Sequence, residues 1–141
     1  MQKPVFVIDG GKFSTLEGFY DEVERVLIPG AAWGRNLDAF NDILRGGFGT
    51  PEAGFILRWV QSDRSRELLG YRETVRQLQS RLIRCHPSNR AAVAEQLAHA
   101  KEGTGSTVFD WLVEIIREHG PEGQEAEDGV ELLLIESEGR S

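Results

Sequence analysis

Three short apolar runs, separated by segments with helical spacing, constrain the fold of this chain more than any other feature. They cover residues 4–9, 54–61 and 129–136. Short apolar runs bounded by glycines are typical of strands that are buried on both faces, and such strands occur mainly in parallel sheets. Parallel strands are joined by right-handed crossovers. The sequence therefore predicts an α/β fold with a three-stranded parallel sheet packed with α-helices.

Helical spacing fills the segments between these runs. Apolar residues recur every three or four positions, or helix-forming residues dominate, in six segments: 15–27, 37–45, 62–69, 73–82, 90–101 and 107–119. The acidic loop, residues 120–128, is expected from its composition to be mobile. At 141 residues the chain is long enough for one domain and too short for two of ordinary size.

The charge balance restricts the possible partners. The chain has 23 acidic against 16 basic residues, a net charge of −7, whereas nucleic-acid binding relies on a basic surface. Arginines between residues 64 and 90 form the one candidate basic surface, and the alternative is a solvated face whose arginine stems cover apolar side chains.

No run approaches the roughly 20 apolar residues that cross a bilayer. With no signal peptide expected, the single cysteine, Cys85, favours a reducing cytoplasm.

Residues 33–45, WGRNLDAFNDILR, predict a short amphipathic helix capped by Asn36. Asp38 and Asp42 fall on its solvent-facing side, one turn apart. Like charges at that spacing cost an isolated helix roughly 0.2–0.5 kcal/mol. Two interpretations follow. Either the helix dipole favours Asp38 and Arg45 pairs with Asp42, which offsets the repulsion locally, or a binding partner uses the pair.

Patterns for catalysis are weak. The chain lacks a phosphate-binding loop, a serine-nucleophile motif and histidines at metal-ligand spacing. Cys85 and His86 are adjacent, and His99 and His119 lie far from them in sequence, so neither a metal site nor a Cys–His pair is expected. Two carboxylates could perform acid–base hydrolysis, but an exposed helix offers no enclosing cleft. We expect neither an enzyme nor a cofactor.

Several motifs occur in register along the chain. They are Val7-Ile8-Asp9-Gly10, the helix following Trp33-Gly34-Arg35-Asn36, the strand 55–59, and the last helix and strand. Together they resemble the barstar family of intracellular ribonuclease inhibitors. The resemblance covers residues 4–70 and 107–136. It implies a single domain over 1–136, with residues 71–106 as a helical insertion before the last helix and residues 137–141 as a disordered tail.

The resemblance also implies a function. Barstar-like proteins place an acidic helix over the active site of a basic ribonuclease, as in a toxin–immunity pair. Asp42 would then occupy the pocket for a substrate phosphate, and Asp38 and Glu118 would add acidic contacts. The other expected partner-binding residues are Trp33, Gly34, Asn36, Asn41 and Arg45.

Three differences from the family pattern bear on the target. Ala32 and Asn41 replace aromatic residues, and Arg35 replaces an acidic one, so we expect a different ribonuclease or a related nuclease toxin as the target. The alternative hypothesis is a barstar-like interaction module whose basic helical insertion contacts another partner.

Overall fold

A parallel sheet forms the centre of the fold. The computed structural model describes residues 3–51 and 53–137. The three strands lie in the order β1 (Val5–Asp9), β2 (Phe55–Val60) and β3 (Val130–Ile135). Ile8 lies opposite Trp59, which in turn lies opposite Leu134. The predicted α/β fold with a three-stranded parallel sheet is confirmed.

Helices connect and cover these strands. Within the described residues they are α1 (Leu16–Leu27), α2 (Leu37–Leu44), α3 (Ser62–Leu68), α4 (Tyr71–Arg84), α5 (Arg90–Lys101) and α6 (Val108–Glu118). Side-chain caps set the first residues of several. The Thr15 hydroxyl accepts the Gly18 N–H at 3.0 Å before α1, and Thr107 forms a capping box with Asp110 before α6. The predicted helices are therefore present, with ends that differ by a few residues.

The main hydrophobic core lies between one face of the sheet and helices α1, α2 and α6. Trp59 is at its centre, fully buried, with its ring centroids 5.2 Å from those of Phe19 and Phe109. Its indole N–H donates to Ser65 Oγ at 2.9 Å, so the polar atom of this large side chain is paired inside the core. These contacts hold α1 and α6 on the sheet.

The opposite face of the sheet is more open. Val5 and Val7 of β1 are 50% and 40% exposed, and Leu133 of β3 is 46% exposed. The prediction that the first strand is buried on both faces is therefore wrong. Valine favours a strand on either a covered or an open face. A run of apolar residues therefore does not indicate whether one face of the sheet is covered or both.

Ser137 begins the segment predicted to be a disordered tail. Its backbone N–H and its hydroxyl donate to Asp63 Oδ1 at 2.7 and 2.8 Å, so this residue is held against the start of α3. The rest of the predicted tail, residues 138–141, lies outside the described residues.

Helices α4 and α5 form a second, smaller core. Leu78 of α4 is buried there against Val93 and Leu97 of α5, and Trp111 of α6 packs at its edge. This arrangement attaches residues 71–106 to the main fold through α6. Whether these residues are an insertion stays a prediction.

Glu73 of α4 joins this segment to α1 as well. Its side chain is buried and accepts the backbone N–H of Leu16 at 2.9 Å, one of the amides that the first turn of α1 leaves free. Burial alone would raise the pKa of Glu73, but hydrogen bonds from Arg76, Leu16 and Gln77 outweigh burial and lower the pKa below its ordinary 4.5. The charged form of Glu73 therefore stabilises the fold.

We predict that Glu73→Gln lowers the free energy of unfolding by about 1–3 kcal/mol at neutral pH, because the buried Leu16 N–H and the partly buried donors of Arg76 and Gln77 lose their charged acceptor. Since the folded-state pKa is lowered, the stabilisation is complete above 4.5 and is lost as the pH falls through the lower folded value. Urea denaturation at about pH 7 and about pH 3 measures both effects, and the difference in stability between the wild type and the variant should be smaller at the lower pH.

Glu95→Gln, on the exposed face of α5, is the matched control and should have wild-type stability at both pH values. Wild-type stability of Glu73→Gln at neutral pH would contradict the assignment.

Candidate functional site

Helix α2 carries the candidate binding surface, and local sequence signals build it. Asn36 Oδ1 accepts the Ala39 N–H at 2.8 Å and caps the N-terminus, as predicted. Phe40, Ile43 and Leu44 are buried in the main core. The helix is therefore held at its start and along its inner face.

Asp38 and Asp42 lie on the outer face of α2, and both are exposed. Arg45 Nη1 is 3.5 Å from Asp42 Oδ1, a long contact. The same arginine is bound more closely by Glu125, with Nε to Oε1 at 2.7 Å and Nη2 to Oε2 at 3.0 Å. These bonds from Arg45 lower the pKa of Glu125. Asp42 therefore shares its cation with a stronger acceptor and stays accessible.

Trp33 packs back onto α1. Its indole N–H donates to Glu24 Oε1 at 2.9 Å, and its ring meets the ring of Tyr20 edge to face at 5.4 Å. The side chain is partly buried by these contacts. Trp33 thus shapes the loop before α2, and only part of its surface is exposed.

Arg35 also folds back onto α1. Its guanidinium pairs with Asp21 and with Glu24, the latter at 3.2 Å. The backbone at Arg35 has φ 52°, a left-handed conformation that non-glycine residues rarely adopt. Gly34 and Asn36 on either side are exposed. Because two carboxylates of α1 neutralise Arg35, its positive charge does not cancel the negative charge of α2.

Asn41 lies between the two aspartates and contacts a buried histidine. Nε2 of His119 is 2.6 Å from Asn41 Oδ1, and Nδ1 of His119 is 2.6 Å from Asp128 Oδ2. His119 is fully buried and directly follows Glu118, the exposed last residue of α6. The structure thereby brings the end of α6, with Glu118, next to α2.

The sequence alone assigns no role to His119, Glu125 or Asp128. The last two belong to the acidic loop, which its composition predicts to be mobile. In the structure this loop folds back, with the Glu125 N–H donating to the Glu118 carbonyl at 2.8 Å. A signal for His119 was present, because it lies three residues after Ile116 and continues the buried stripe of α6.

The arginines between residues 64 and 90 are partly engaged within the fold. Arg66 and Arg81 each lie over an aromatic ring, 4.6 and 5.3 Å from its centroid, and Arg76 pairs with two glutamates. These contacts favour the interpretation in which arginine stems cover apolar surface over that of a continuous basic surface.

One cluster has donors of the type that bind metals. A ring nitrogen of His119 and carboxylate oxygens of Glu125 and Asp128 lie within 4.8 Å of one another. Arg45 already pairs with Glu125, and Asp128 already bonds the ring, so we assign these groups to hydrogen bonding.

Within residues 3–51 and 53–137, no helix has both the length and the apolar character needed to cross a bilayer.

The family model described as Barstar (barnase inhibitor) matches residues 3–86, more than half of the chain. The chain therefore belongs to the barstar family. The match includes Asp38, Asp42 and α4, whereas Glu118 lies beyond it. No curated protein matches the chain.

We predict that Asn36→Ala lowers the free energy of unfolding by about 1 kcal/mol, because the first turn of α2 loses its capping oxygen. Asn36→Ser keeps a capping oxygen and should recover most of that loss. Urea denaturation of both variants provides the test. Equal destabilisation by serine and alanine would show that the side chain does not act as a cap.

Proposed function

We propose that this protein inhibits a basic ribonuclease, or a related nuclease toxin, by placing α2 over the active site of the enzyme. Family membership supports an inhibitor of the barnase-inhibitor type. The single observation that carries the proposal for this chain is the exposure of Asp38 and Asp42 on a helix whose inner face is buried. We place its action in the cytoplasm, where it would protect a cell from the nuclease.

The proposed mechanism is electrostatic substitution. A ribonuclease that cleaves RNA needs cationic side chains around the phosphate it attacks, and a carboxylate offers them the same kind of charged acceptor. Asp42 would take the position of that phosphate, with Asp38 and Glu118 as further acidic contacts. Because the core holds the helix in place, the backbone that carries the carboxylates loses little conformational entropy on binding. The inhibitor would therefore block the enzyme without any chemical step.

The competing hypothesis, an interaction module that binds through residues 71–106, has less support. The arginines of α4 that would form the contact include Arg76 and Arg81, which already pair with carboxylates or lie over an aromatic ring. By contrast, the Asp38 side chain is exposed and makes no hydrogen bond or ion pair within residues 3–51 and 53–137.

We predict that Asp42→Ala weakens inhibition of the cognate ribonuclease by about 2–5 kcal/mol, the general cost of truncating one partner of a buried charge pair at an interface. That general range already includes complexes between ribonucleases and inhibitors of this family. Stability should change by less than about 0.5 kcal/mol, because the carboxylate is on the surface. RNA cleavage by a panel of small basic microbial ribonucleases, titrated with wild type and variant, measures the effect.

Glu95→Ala removes an exposed acid of α5 and is the matched control, expected to inhibit like the wild type. Full cleavage by every enzyme in the panel at excess wild-type protein, or equal inhibition by Asp42→Ala, would contradict the proposed function.

We further predict that the association rate constant falls steeply with added salt, since opposite charges on the two proteins accelerate their encounter and salt screens them. Asp38→Asn should slow association at low salt and make the salt dependence shallower. Stopped-flow mixing at about 0.05 and about 0.5 M salt measures both. A rate constant independent of salt would show that the acidic face does not guide binding.

A further inference from the structure

His119 is a buried titratable side chain that the proposed function does not use. Its ring is fully buried, yet both nitrogens have partners, Asn41 Oδ1 and Asp128 Oδ2, each at 2.6 Å. The two partners belong to different parts of the chain, Asn41 to α2 and Asp128 to the turn before β3. The imidazole therefore links the acidic helix α2 to the turn before β3.

The surroundings of His119 are acidic on one side and neutral on the other. Asp128 and Glu125 face the ring from the acidic loop, and Arg45, the residue after α2, pairs with Glu125. On the α2 side the neutral amide of Asn41 meets Nε2. Both partner atoms are oxygens that accept, so Nδ1 donates to Asp128 Oδ2 and Nε2 donates to Asn41 Oδ1, and the two bonds together fix the orientation of the ring.

Asn41 is well placed to transmit this contact. It lies three residues after Asp38 and one before Asp42, on a helix of only eight residues. A hydrogen bond to its side chain restrains the rotation of α2 about its own axis, and that rotation changes the direction in which both carboxylates point. The Arg45–Glu125 pair restrains the C-terminal end of the same helix.

We propose that His119 is a positioning residue for the acidic face, and that its Nε2–Asn41 bond sets the orientation of α2 required for tight ribonuclease binding. This inference rests on the proposed function for its effect on inhibition. It adds that affinity depends on a side chain that never touches the ribonuclease.

Two substitutions separate the bonds of the ring. The amide nitrogen of His119→Gln can replace Nε2 and keep a donor toward Asn41, whereas that of His119→Asn can replace Nδ1 and keep only the bond toward Asp128. Both variants leave part of the imidazole volume empty, so both should lose stability. If His119 positions α2, the glutamine variant keeps the inhibition constant within about threefold of wild type. The asparagine variant weakens inhibition about tenfold or more, because α2 then adopts the binding orientation in about a tenth of the molecules or fewer, and the apparent affinity falls by that fraction.

Hydrogen exchange provides a readout that needs no ribonuclease. We expect the amides of α2 to exchange faster in His119→Asn than in His119→Gln, while the amides of α1 change equally in both. If either variant fails to fold, Asn41→Ala removes the acceptor from the other side and should accelerate exchange in α2 selectively.

Equal inhibition by the two variants together with uniform exchange across α1 and α2 would overturn the proposal and leave His119 as a filler of the core. The proposed function fails separately, if wild-type protein inhibits no ribonuclease of the panel. In that case the exchange of α2 still decides whether His119 positions the helix.

Discussion

The burial of one face of a two-turn helix is the constraint on which the rest of the site depends. Phe40, Ile43 and Leu44 of α2 are buried in the core, and burial of each such side chain contributes about 1.5–3 kcal/mol. The repulsion between Asp38 and Asp42 is roughly 0.2–0.5 kcal/mol. Packing therefore exceeds repulsion several times over, and the helix can present two like charges to solvent without a local counterion for both.

The charges around α2 are distributed so that its outer face stays negative. The guanidinium of Arg35 forms ion pairs with Asp21 and Glu24 of α1, and the guanidinium of Arg45 forms one with Glu125 of the acidic loop. Each arginine thus strengthens the attachment of α2 and its preceding loop to the body of the protein. From the sequence these basic residues are expected to weaken the acidic surface, and in the structure they instead help to hold it in place.

Local patterns predict the fold well and predict long-range polar contacts poorly. Asn36 as a cap, the apolar stripe of α2 and three parallel strands follow from residue spacing, because period and capping are properties of neighbouring residues. The open face at Val5 and Val7 does not follow, since β-branched residues suit either environment. The Asn41–His119 bond joins residues 78 positions apart, and no local pattern in a single sequence indicates such a pair.

Competition with a small ligand tests the central claim most directly. A mononucleotide that occupies the phosphate site of the inhibited ribonuclease should compete with this protein if α2 fills the same pocket. We expect the apparent Kd of the protein complex to rise in proportion to nucleotide concentration, with no ternary complex. An unchanged Kd with nucleotide bound would contradict the account, because it would place α2 away from the catalytic site.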